Sequence, residues 1–192
     1  MTTQTRNFTF TRLAIPDVVE IERHAFDDER GFNMEAYKES VFREAGLDVR
    51  FVQDNVSHSK RGVLRGLHYQ RPPYEHGKLV SCLQGEIFDV AVDLRPDSPT
   101  FGEWVGRELS ARNRRMLFVP AGFAHGFQVL GEEALVSYKL TGEYAPAADA
   151  GVRWDDPDIG IEWPLANPVL SAKDRNLPSL EEVRNDFRSL QE

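Results

Sequence analysis

The chain has 192 residues, a formal net charge of -8, 41% hydrophobic and 28% charged residues, and one cysteine, Cys82. No run reaches the roughly 18 apolar residues of a membrane span, and a single cysteine rules out an internal disulfide and any multi-cysteine zinc site. The negative balance argues against nonspecific nucleic-acid binding, which needs a basic surface, although a local Arg and Lys cluster can still hold a phosphate. With no apolar h-region after Met1, no secretory signal is read and a cytoplasmic protein is expected.

In chain order, Phe8 to Ile15 alternates apolar and polar residues and predicts a strand ended by Pro16, followed by a short strand at Val18 to Glu22. Asp27 to Gly31 reads as a turn-rich loop. Met34, Tyr37, Val41 and Phe42 fall at helical spacing, so a helix is expected over about 34 to 45, with Gly46 just past its end. Short strands then follow at Phe51–Ser57, Val63–Gln70, Lys78–Leu83, Glu86–Leu94, Met116–Val119, Gly126–Leu130 and Ala134–Leu140. The first puts Gln53, Asn55 and Ser57 on one face. Turns rather than helices separate these strands, which predicts an all-β antiparallel sandwich or barrel. Residues 155 to 175 read as an ordered wrapping loop that buries Trp154, Ile159, Ile161 and Trp163. A last helix is capped by Ser179 with Glu182 and carries Leu180, Val183, Phe187 and Leu190 on one face. With no repeat or linker, residues 1–192 are expected to form one domain.

Two stretches resemble the two motifs of the cupin jelly roll: Gly62, His68, Gln70, Lys78 and Gly85 in the first, and Pro120 to His125 in the second. Metal-binding cupins carry His-x-His, a Glu and a later His at these places. Here Gln70 replaces the second His and Lys78 the Glu. An ammonium cannot take the place of a carboxylate ligand and repels a divalent cation. No metal is expected, and the scaffold reads as one converted to acid–base chemistry.

A neutral His beside a Lys, with Arg65 nearby, suits removal of a proton next to a carbonyl. His68 would accept the proton, and Lys78 would donate to the oxygen that gains charge. The base needs an orienting carboxylate, for which Asp89, Asp93 and Asp174 are candidates. Inversion of a carbon also needs an acid on the opposite face, and Tyr138 can supply one. Arg65 and His68 differ by an odd number, so a straight strand would point them apart; Gly66 could relieve this through a bulge. His24, His58 and His76 are read as structural histidines, and Cys82 as a small buried hydrophobe.

At these residues the chain resembles the dTDP-4-dehydrorhamnose 3,5-epimerase family. The resemblance runs from about residue 15 to about 180. It rests on blocks such as Asp28–Phe32, Phe51–Asn55, Gly62–Gln70, Gly77–Val80, Phe88–Arg95, Pro120–Phe127, Trp154–Pro157 and Leu170–Asp174. It implies a cupin-type jelly roll and a cofactor-free, metal-free enzyme acting on a dTDP-linked 4-keto-6-deoxyhexose, inverting C3 and C5. The resemblance assigns His68 as base, Asp174 as its partner, Lys78 as the enolate stabiliser and Tyr138 as the opposite acid. It implies substrate contacts for Gln53, Asn55, Arg65, His125, Asp149 and Lys173, and an aromatic packed on the base at Tyr144. Arg30 and Glu35 match nucleotide-binding positions that in the family reach into the neighbouring subunit of a homodimer. Asn33 stands where the family commonly has an aromatic. Two alternatives keep the same residues: an epimerase inverting only C3 or only C5, and a catalytically inactive sugar-nucleotide binding cupin.

Overall fold

A computed structural model describes residues 1–187. Its strands are β1 (Thr2–Gln4), β2 (Phe8–Arg12), β3 (Val19–Arg23), β4 (Ala25–Asp28), β5 (Gly31–Met34), β6 (Gln53–Lys60), β7 (Leu64–Gln70), β8 (Lys78–Asp93), β9 (Trp104–Ser110), β10 (Arg115–Val119), β11 (Phe123–Leu140) and β12 (Asp149–Gly151). Three short helices accompany them: α1 (Glu39–Glu44), α2 (Ala172–Arg175) and α3 (Leu180–Val183).

The two longest strands organise the molecule. β8 and β11 pair antiparallel along their length, with the register broken between Val129 and Ala134. On one side of the break, β8 pairs with β10 and β11 with β6, and β10 continues to β3, β2 and β1. On the other side, β8 pairs with β9 and β11 with β7, which carries β12 on its far edge. Each long strand therefore belongs to both sheets of a jelly roll and crosses between them near Gly85. That position has φ +78°, and a Cβ there would sit 1.9 Å from the Glu133 carbonyl oxygen, so only glycine lets the two strands cross so closely.

Alternation explains the layering, because successive residues of a strand face opposite ways. Val80, Cys82, Ile87, Ala91, Leu117, Phe127 and Val136 point between the sheets and form the central core. Phe88, Val90, Val92 and Leu94 point outward from the second sheet and are covered by Ile159, Trp163, Leu180 and Val183. Both faces of Glu86–Leu94 are thus buried, and of the wrapping segment Ile159 is buried while Trp154, Ile161 and Trp163 are only partly so. Leu79, Met116 and Phe118 on the outer face of the first sheet meet Phe8, Phe10 and Phe42. Burying each such side chain contributes about 1.5–3 kcal/mol.

The structure corrects several sequence-level expectations. Residues 27–31 contain the anticipated turn, but its flanks pair as the β4–β5 hairpin. Met34 closes that hairpin opposite Ala25, so the helix begins only at Glu39; Tyr37, Val41 and Phe42 still join one apolar cluster, and Gly46 follows with φ +84°. Lys78–Leu83 and Glu86–Leu94 are one strand, as are Gly126–Leu130 and Ala134–Leu140. β9 was not anticipated, since Gly106 interrupts its apolar alternation, and β1 and β12 are only three residues long. Ser179 and Glu182 form the expected capping box, but α3 ends at Val183, and Phe187 beyond it packs at a tilt against Tyr69; Leu190 lies outside the described residues. Among the described residues no helix is long and apolar enough to cross a membrane.

Candidate active site

At one end of the sandwich the inward-facing residues stop being apolar. Asn55 and Ser57 of β6, Lys78 of β8 and Tyr138 of β11 come from the first sheet. Arg65 and His68 of β7 and His125 of β11 come from the second. Together with His76, Tyr144 and Asp149 they line a cavity of about 560 Å³.

The parity problem between Arg65 and His68 is solved in the register of β7. His125 lies opposite His68, but Phe127 lies opposite Arg65, so β7 spends three residues where β11 spends two. The extra residue is accommodated at Gly66, whose φ is +133°. A Cβ there would lie 2.5 Å from the Gly126 Cα. The bulge turns both side chains inward. The Arg65 guanidinium donates to Ser59 Oγ at 2.9 Å and to the His58 carbonyl at 3.3 Å.

His68 is 31% exposed, and its Nε2 lies 2.6 Å from Oδ1 of Asp174, which is only 4% exposed. Asp174 arrives from 106 positions away on α2, where the Ser171 hydroxyl caps the helix by accepting the Asp174 N–H at 3.0 Å. Burial alone would push the Asp174 carboxyl up, but the His68 hydrogen bond and charge, the Ser171 contact and the nearby Lys173 together hold it below the usual range. A carboxylate there accepts a hydrogen bond from Nε2–H and leaves Nδ1 as the basic lone pair. Of the three carboxylates considered for this role, Asp174 is the one in place.

Asp89 belongs instead to His125. Its Oδ1 lies 2.8 Å from His125 Nε2, and both side chains are almost fully buried. Burial pushes the carboxyl of Asp89 up and the imidazole of His125 down, each toward its uncharged form. Asp93 is occupied elsewhere, accepting from Arg95, Ser98 and Thr100.

Lys78 begins β8, and its Nζ donates to the His68 carbonyl at 3.1 Å. Burial lowers its pKa to about 8, against the pull of Asp89 and Asp149 and with the help of Lys173. Tyr138 stands on the facing sheet, with its hydroxyl 2.8 Å from Ser57 Oγ. Burial pushes the phenol up, so it stays a proton donor at neutral pH.

The remaining predicted residues divide in two. Gln53 braces the rim: its amide donates to Asn55 Oδ1 at 3.0 Å and accepts the Tyr144 N–H at 2.9 Å. Tyr144 is half exposed at the cavity mouth, and Lys173 pairs with Asp149. Arg30 and Glu35 lie outside the cavity of this chain. Arg30 sits at the β4–β5 turn, bound to Asp28, and Glu35 accepts from Asn7 Nδ2 at 2.6 Å. Gln70, at the second cupin ligand position, donates to the Tyr74 carbonyl at 2.7 Å and accepts the Ala145 N–H at 2.7 Å, so it ties two loops together. Among the described residues no group of three or more His, Cys, Asp or Glu is gathered for a metal.

Sequence reasoning missed two partners, Asp89 for His125 and Ser57 for Tyr138, and placed His76 among the structural histidines. The facing of Ser57 was visible in the alternation of β6. Asp89 is by sequence a candidate partner for His68, and its pairing with His125 instead emerges only from the β8–β11 register.

The chain matches the family model for dTDP-4-dehydrorhamnose 3,5-epimerase over residues 12–182. It is 58% identical to the dTDP-4-dehydrorhamnose 3,5-epimerase of Shigella flexneri, over 84% of this chain and 90% of the relative. It is 40% identical to the dTDP-4-dehydrorhamnose 3-epimerase of Streptomyces niveus, over 90% of this chain and 84% of that one. Among solved structures, the dTDP-6-deoxy-D-glucose-3,5-epimerase of Legionella pneumophila Philadelphia 1, in complex with dTDP-4-keto-L-rhamnose, superposes with a TM-score of 0.88. That protein is 46% identical, with 91% of this chain and 93% of that chain covered.

Proposed function

The chain belongs to the dTDP-4-dehydrorhamnose 3,5-epimerase family, and from that premise we propose how its cavity carries out the reaction. It is an isomerase that converts dTDP-4-dehydro-6-deoxy-D-glucose to dTDP-4-dehydro-L-rhamnose by inverting C3 and C5. The observation that carries the site assignment is His68, braced by Asp174 of α2, sharing one cavity with Lys78 and the Tyr138 phenol of the facing sheet.

The 4-keto group acidifies the hydrogens on C3 and C5. At each centre Nδ1 of His68 takes the proton, the C–H electron pair becomes the enolate double bond, and the charge moves to the keto oxygen. The Lys78 ammonium meets that oxygen, a contribution on the order of 3 kcal/mol for a well-placed donor. Tyr138 returns a proton to the opposite face of the carbon, which inverts it. His68 then loses its proton and Tyr138 regains one. Asp174 keeps the imidazole in the tautomer this needs. No cofactor enters these steps, because the keto group is already the electron sink.

Arg65, Gln53, Asn55, His125, Tyr144, Asp149 and Lys173 form the binding wall in this reading. Arg30 and Glu35 serve the nucleotide across the interface of a homodimer, which accords with their position outside their own chain's cavity. The test of the assignment is His68→Asn. Loss of a positioned base should slow turnover by roughly 10²–10⁴-fold, followed by NMR of the sugar; turnover within a few-fold of the parent would remove His68 as the base.

A further inference from the structure

We infer that His76 is a substrate-binding residue, presenting a neutral Nε2–H donor to an uncharged oxygen of the bound sugar. This rests on the reaction assigned above and adds a contact that it does not use.

The chain of reasoning starts at Gln70. The Ala145 N–H donates to Gln70 Oε1 at 2.7 Å, so the amide orientation is fixed and Nε2 carries the hydrogens. That nitrogen donates to the Tyr74 carbonyl at 2.7 Å, approaches the Glu143 carbonyl at 3.3 Å, and lies 3.1 Å from His76 Nδ1. A proton on Nδ1 would face the amide hydrogens. Nδ1 therefore carries the lone pair, and the ring proton sits on Nε2. Nδ1 is the ring nitrogen that meets Gln70, the Tyr74 carbonyl also draws on the ring, and His76 lines the cavity.

Location and charge select the kind of oxygen. Gln70 is two residues from His68, and Lys78 is two residues beyond His76, so the donor stands at the reacting end of the cavity. An anionic diphosphate would favour the imidazolium, but that form sets an N–H against the Gln70 amide beside the Lys78 ammonium. Burial, and then Lys78, also hold the His76 pKa down to about 4. A sugar hydroxyl or keto oxygen is the acceptor that suits a locked neutral donor.

The experiment compares the parent with His76→Leu and His76→Gln. It measures kcat/KM for dTDP-4-dehydro-6-deoxy-D-glucose by NMR and the affinity for dTDP alone by calorimetry. His76→Leu should lose about tenfold in kcat/KM, the scale of one neutral hydrogen bond, while dTDP binds as to the parent. His76→Gln, whose amide can donate, should recover most of the loss. Undiminished kcat/KM in His76→Leu, a parallel loss of dTDP affinity, or no recovery in a folded His76→Gln would each overturn the role. Failure of the parent itself to turn over this substrate would overturn the assigned reaction and this inference with it. Normal parent turnover with an unaffected His76→Leu would overturn the inference alone.

Discussion

Two histidines face each other across the β7–β11 pairing, and each has its own buried or nearly buried carboxylate. The difference between them is exposure: His68 reaches the cavity with nearly a third of its side chain accessible, while His125 is sealed beside Asp89. That contrast suits His68 to accept a proton and His125 to hold a ligand in place. Lys78 is the residue whose titration should be visible. Its pKa is depressed to about 8, chiefly by burial, so the ammonium predominates below that pH and is lost above it. We predict that kcat/KM falls above about pH 8, by about tenfold per pH unit, as the free enzyme loses this proton. Lys78→Gln should cost about 10²–10³-fold in kcat at neutral pH and should abolish that alkaline limb. A limb that persists unchanged in Lys78→Gln would assign the titration to another group.

The element on which the site turns is β7, because its bulge brings Arg65 and His68 to the same side. Gly66→Ala sets a Cβ 2.5 Å from the Gly126 Cα at φ +133°. The strain should cost on the order of 1–3 kcal/mol, read as a melting temperature lowered by roughly 2–4 °C per kcal/mol. Activity should fall well beyond the stability loss, since relaxing the bulge separates the two side chains. A variant with parent-like stability and turnover would show that the bulge does not set the site. The bulge was legible in the sequence only as a conflict, an odd spacing with a glycine inside it. Strands with strict alternation, such as β2 and the two halves of β8, could be read directly, as could the capping box of α3. The β4–β5 hairpin could not, because its strands are only four residues long and mostly exposed, so they show no buried alternating face. Met34 shows why the helix was read too long: its apolar side chain fits helical spacing, yet its backbone is paired to Ala25. The four residues proposed for catalysis could be named from the sequence, but the carboxylate of His125 could not. Asp89 and His125 lie 36 residues apart and meet only through the register of two long strands.

On the scale of the whole molecule, one sandwich interior is divided between two tasks. Val80, Leu117, Phe127 and Val136 fill the apolar part, and the same strands continue into the cavity through Lys78, His125 and Tyr138. The β4–β5 hairpin carries the exposed Phe26 and Phe32, with Arg30 at its turn. We propose that it packs on a second copy, and sedimentation velocity at micromolar concentration should then give the mass of a dimer; a monomer would place Arg30 and Glu35 outside any nucleotide site. The central claim is inversion of two carbons by one base and one acid in this cavity. It is tested most directly by incubating the enzyme with dTDP-4-dehydro-6-deoxy-D-glucose in D₂O and counting deuterium in the sugar by NMR. The expected result is label at both C3 and C5, and label confined to one of them would contradict it.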